Sequence, residues 1–88
     1  MTQIFEENGF SVQRDDRTGA HTVFRPSGSG THSESDSSYG LGVDGAGMAI
    51  ARAMYLARGA GRWAGEATEL ALQTATSGDQ VRYVREAG

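Results

Sequence analysis

The amino-acid sequence predicts an α+β fold in which an antiparallel sheet of about four or five strands packs against one main α-helix over residues 44–58. Three observations carry that prediction. Two short alternating runs flank a loop containing Asp and Gly between residues 10 and 25, an Ala- and Met-rich stretch runs from Asp44 to Gly59, and further alternation occupies residues 68–85. At 88 residues without a cysteine, the chain has room for a single domain, 1–88, whose one core is closed by packing rather than by disulfides.

Phe10-Ser11-Val12-Gln13-Arg14 and Ala20-His21-Thr22-Val23-Phe24-Arg25 read as the strands of a hairpin around Asp15–Gly19. Pairing Arg14 with Ala20 sets Val12 opposite Thr22 and Phe10 opposite Phe24, all four on one face. Next, Gly28-Ser29 fits a two-residue turn. Pairing Ser27 with Gly30 then directs Ser33, Ser35, Ser37 and Tyr39 inward and His32, Glu34 and Asp36 outward, with His21 across from Asp36. The same stretch, 26–42, has the Ser, Asp and Gly content of a disordered polar loop, which is the alternative.

Asp44 suits an N-cap, the following Ala, Met and Leu residues favour helix, and Arg58-Gly59 suits its end. Val43, Gly47, Ile50, Met54 and Ala57 recur at helical spacing and form the face expected to meet the sheet. Beyond Gly59-Ala60-Gly61, the alternation of Thr68, Leu70, Leu72, Thr74 and Thr76 predicts a strand, a turn over Thr76–Asp79 and a last strand over Gln80–Arg85. The Ala, Glu and Leu content of 64–75 supports a second helix instead, and the hairpin is preferred over it. The predicted core is Phe10, Val12, Phe24, Ile50, Met54 and Leu72.

All eight basic residues are arginine, against 11 acids, for a net charge of −3. Residues 26–51 contain no Arg against Glu34, Asp36 and Asp44. Such a segment repels phosphate, so direct nucleic-acid binding is not expected. No apolar run approaches the ~20 residues of a membrane span, and Met1–Glu7 lacks the features of a signal peptide, so a cytoplasmic location is expected.

Gly40-Leu41-Gly42-Val43-Asp44-Gly45 matches the dinucleotide-binding GxGxxG string, but the preceding residues are polar where a buried strand is required, so a tight strand-to-helix connection is expected and no cofactor. His32, Glu34 and Asp36, with His21 nearby, have the alternation of a metal-binding strand face. A single exposed face offers no closed cage, and no metal is expected. No Ser lies in a Gly-x-Ser-x-Gly context, and two histidines without Cys or Lys leave few general bases, so no enzyme is expected. Trp63, beside Arg62, fits either a lid over the helix or an interface anchor.

Strands followed by an Ala-rich helix are similar in order to part of the double-stranded-RNA-binding domain, but Asp44-Gly45-Ala46-Gly47 stands where that family has its phosphate-binding lysines. The hairpin around Phe10–Phe24 followed by Asp44–Met54 resembles the hairpin-plus-Ala/Met-helix layout of small anti-CRISPR proteins of phages, some type I inhibitors among them. That resemblance covers about half of the chain. It implies a non-enzymatic inhibitor that docks on a subunit of a type I CRISPR-Cas effector and blocks DNA binding or nuclease recruitment, in the host cytoplasm if phage-encoded. Glu34, Asp36, Asp44, Arg62 and Trp63 are then the expected partner-binding residues, the acids meeting a basic surface. The alternatives are a self-associating accessory module, such as a homodimer, and a metal- or phosphate-dependent enzyme.

Overall fold

Asn8 and Gly9 decide where the chain first turns. Both take positive φ, 55° and 88°, as a two-residue type I′ turn requires. Glu7 and Phe10 therefore pair, and residues that no pattern above assigned become strand β1 (Thr2–Glu7) against β2 (Phe10–Arg14). The computed structural model describes residues 1–28 and 33–77. Strands β3 (His21–Pro26) and β4 (Ser33–Tyr39) complete a four-stranded antiparallel meander in the order β1-β2-β3-β4, followed by helices α1 (Gly42–Arg58) and α2 (Ala64–Ser77). The fold is α+β.

The β2–β3 register differs by one residue from the expected one, because Asp15 organises the loop from both ends. Its N–H donates to the Ala20 carbonyl at 2.8 Å and its own carbonyl accepts from Gly19 at 2.7 Å. Its side chain accepts from the Arg17 and Thr18 amides at 2.8 and 3.2 Å. Arg14 is thereby paired with His21, Val12 with Val23 and Ser11 with Phe24. A slip of one exchanges the faces of a strand. Val23 and His21 are buried, whereas Phe24 is only half-buried and lies outside the core cluster.

Strand β4 forms where a disordered loop was the alternative, and its register is also shifted: Pro26 pairs with Ser33 and Phe24 with Ser35. The ladder then resumes at Val23 and Ser37, leaving Asp36 as an extra residue. Such a bulge re-aims a side chain. Asp36 consequently turns toward α1 instead of outward, and His21 is opposite Tyr39 rather than Asp36. The proposed Ser27–Gly30 pairing and His32 involve residues 29–32, outside those described.

Helix α1 starts two residues before the expected Asp44. Leu41 is the extended N-cap and contributes no side-chain bond, while Asp44 lies in the first turn, where an acid complements the helix dipole. Gly59, at φ 95°, ends the helix with its N–H on the Tyr55 carbonyl at 2.8 Å. The buried face is Gly45, Ala46, Ala49, Ile50, Ala53 and Met54. Val43, Gly47 and Ala57 lie at its margins. That rotation follows from Gly45, which sits directly against the Gly40 carbonyl and brings its own side of the helix onto the sheet.

Residues 64–77 are helical, correcting the preferred strand. Ala67, Leu70, Ala71 and Thr74 are buried at helical spacing, and Leu72, expected in the core, is 50% exposed. The Thr74 hydroxyl is satisfied by donating back to the Leu70 carbonyl at 2.9 Å. The expected turn and final strand fall mostly on 78–88, outside the described residues. Helix α2 packs chiefly on α1, which in turn covers one face of the sheet. The core joins Ile4, Phe5, Val12 and Val23 of the sheet to Ile50 and Met54 of α1 and to Leu70 of α2, and Phe10 packs at its edge. The opposite sheet face carries the paired rows Gln3, Gln13, Thr22, Ser38 and Glu6, Ser11, Phe24, Ser35.

Candidate functional site

With its sheet-facing side fixed by Ile50 and Met54, α1 exposes Met48 and Tyr55, seven residues apart. A straight helix drifts by only about 20° over that interval, so the two share one line. Their exposures are 59 and 48%. Beside this line, the outer junction of α1 and α2 is a groove of about 410 Å³ lined by Val43, Asp44, Gly47, Met48, Ala51, Ala64 and Thr68. Small residues at Gly47, Ala51 and Ala64 keep it open.

Two arginines of α1 tie the layers together. Arg52 forks onto Asp36, with Nε at 2.9 Å from one carboxylate oxygen and Nη2 at 3.4 Å from the other, and lies 5.6 Å from the Tyr55 ring centre. The Ser37 hydroxyl donates to the same carboxylate at 2.8 Å, and Tyr39 meets that hydroxyl at 3.1 Å. Arg58 reaches Glu7 on β1 at 2.7 and 2.8 Å and Glu66 on α2 at 3.0 Å. Its guanidinium also stacks 4.9 Å from Trp63.

The expected acidic patch does not assemble. Glu34 is exposed beside Arg25 at 3.5 Å, and Asp36, with a side chain only 9% exposed, is held by Arg52. Asp44 is exposed in the first turn of α1, eight residues from Arg52 and therefore about 12 Å away along the axis. The residues that neutralise the segment 26–51 are Arg25 and Arg52, which stand just outside its two ends. Arg62 is exposed. Trp63 is partly buried against the core, its indole N–H donating to the Gly59 carbonyl at 2.9 Å, and so takes the part of a lid.

No family model, curated protein or solved structure matches this chain. The site is therefore read from its own residues. Among the described residues, no three His, Asp or Glu side chains gather as metal ligands, and Glu34 and Asp36 are engaged by separate arginines. In the glycine string, Gly45 is occupied by its contact with Gly40, as a tight strand-to-helix connection requires. No helix is long and apolar enough to cross a membrane, among the described residues. Met48 and Tyr55 were not singled out from the sequence, although their seven-residue spacing is visible in it.

The Arg52 hydrogen bond, assisted by Ser37, holds the Asp36 carboxyl below its ordinary value of 3.8 despite the opposing effect of burial. Folding therefore weakens proton binding at Asp36, and the resulting stabilisation is present above the ordinary carboxylate value and lost as the pH falls through the lower folded one. Arg52 is more than a third exposed, so the contribution is about 1 kcal/mol or less. Urea denaturation across the acid range is expected to show a shallower loss of stability in Asp36→Asn than in the parent. Identical acid limbs would remove Asp36 as a source of the pH dependence.

Proposed function

We propose that this chain is a non-enzymatic inhibitor that binds a protein partner through the outer side of its helical layer. The observation that carries this reading is the pair of exposed apolar side chains on the outer side of α1, Met48 and Tyr55, with Met48 on the wall of the α1–α2 groove. Contiguous exposed apolar surface costs solubility and is kept where it is used in binding. Among the described residues, the groove wall carries Asp44 and no basic side chain, so it suits a partner that presents apolar side chains among Arg or Lys. Surfaces built to hold nucleic acid are of that kind. Together with the resemblance in layout to type I anti-CRISPR proteins, this favours a subunit of a type I CRISPR-Cas effector as the partner.

The test is binding of the purified chain to type I effector complexes, with and without guide RNA, beside a phage-protection assay. Met48→Asp with Tyr55→Ala is expected to weaken binding by about a hundredfold, as removal of interface anchors does, with an unchanged melting temperature. Failure of the parent chain to bind any such effector or to protect phage rejects the CRISPR assignment. Equal binding by the double variant places the contact elsewhere, with Arg62 and the exposed Glu34 next to be changed. A concentration-dependent mass in sedimentation that the same substitutions abolish would identify a second copy of the chain as the occupant.

A further inference from the structure

We propose that the cavity where the ends of β2 and β3 meet the start of α1 binds a small oxyanion, a carboxylate or a phosphate. The cavity measures about 150 Å³ and is lined by Arg14, His21, Gly42, Val43 and Thr74, with two alanines. That is below the roughly 300 Å³ at which sites for whole small molecules begin, so it admits a charged head group and little more.

His21 is the observation that points to a ligand. It is 97% buried, being only 3% exposed, and yet lines the cavity. Its Nδ1 lies 2.9 Å from the Gly40 carbonyl oxygen, which can only accept, so Nδ1 carries the hydrogen. Nε2 makes no hydrogen bond to a described residue. No fully buried side-chain nitrogen or oxygen lacks a partner among the described residues, so Nε2 reaches open space, and this cavity is an open space that His21 borders. Arg14, paired with His21 across the sheet, adds a guanidinium to the wall. Gly42 and Val43 belong to the first turn of α1, where amides have no partner within the helix and the dipole favours negative charge. Leu41 offers these amides no side-chain cap.

An oxyanion in the cavity accepts from the Arg14 guanidinium and the first-turn amides, and Nε2 donates to it as the imidazolium. The other groups facing His21 are Arg14 on β2, with Asp16 3.6 Å from its guanidinium, and Tyr39 opposite it on β4. The cavity residues of α1 and α2 carry no titratable side chain.

The test is an NMR titration of the full chain with acetate and, separately, with phosphate, at constant ionic strength, following the His21 imidazole and the Gly42 and Val43 amides. Saturable shifts are expected. Arg14→Gln and His21→Gln should each weaken binding by about tenfold or more. Saturation by phosphate alone assigns the site to phosphates, and saturation by acetate assigns it to carboxylates; either supports the proposal. Shifts that grow linearly and match those from chloride would overturn it, as would parent-like affinity in Arg14→Gln. If His21→Gln fails to fold, Arg14→Gln and the saturation of the parent decide the matter.

Discussion

Gly45→Ala is expected to cost about 3 kcal/mol or more, a large share of the roughly 5–15 kcal/mol that keeps a small domain folded. A Cβ at position 45 would overlap the carbonyl carbon and oxygen of Gly40 and lie 3.1 Å from its Cα. All three are backbone atoms, so no side chain can swing aside. Relief requires moving the connection from β4 to α1, and with it the Gly40 carbonyl that anchors His21. Gly47→Ala is the control on the same helix. Its Cβ would make only ordinary contacts, 3.9 Å from the Ala71 Cβ and 4.0 Å from the Thr68 hydroxyl, while removing a glycine from a helix gains up to about 1 kcal/mol. Urea denaturation of both variants checks the pair. Parent-like stability in Gly45→Ala would mean that the helix does not approach Gly40 closely.

That contact also explains which parts of the fold were legible in the sequence. Helix α1 was, because Ala, Met and Leu favour helix and Gly59 ends it, but its rotation depends on where Gly45 meets Gly40, which no periodicity reports. The pairing of residues 10–14 with 21–26 was legible as a hairpin. Its register was not, because the hydrogen bonds of Asp15 lengthen the loop, and one residue of slip exchanges Val23 for Phe24 in the core. Strand β1 had a clear signal in Asn8-Gly9, since that dipeptide favours the positive φ of a type I′ turn. Residues 64–77 satisfy two periods at once: Leu70, Leu72 and Thr74 alternate, while Ala67, Leu70, Ala71 and Thr74 recur as a helix. Packing on α1 decides for the second. The separation of the acidic residues was hidden for a different reason. Charge counted along the chain left out Arg25 and Arg52, and the bulge that turns Asp36 inward has no sequence signature here.

Arg58→Met is expected to cost about 2–3 kcal/mol. Removing one partner of a buried ion pair costs about 3–5 kcal/mol because the other charge is left without compensation. Arg58 and Glu7 are mostly buried, while Glu66 is more than a third exposed and keeps part of its hydration, which lowers the expected figure. Glu7 first and Glu66 second raise the proton affinity of the guanidinium, so it stays charged wherever the fold persists. Methionine keeps an apolar stem but loses the guanidinium stacked on Trp63, so the change removes that contact together with the charge and its hydrogen bonds. The decisive comparison is made in a Glu7→Gln/Glu66→Gln background. If stranded carboxylates are the cost, Arg58→Met should be milder there by about 1 kcal/mol or more, a coupling that additive sites do not show. An equal cost in both backgrounds would assign the loss to packing instead.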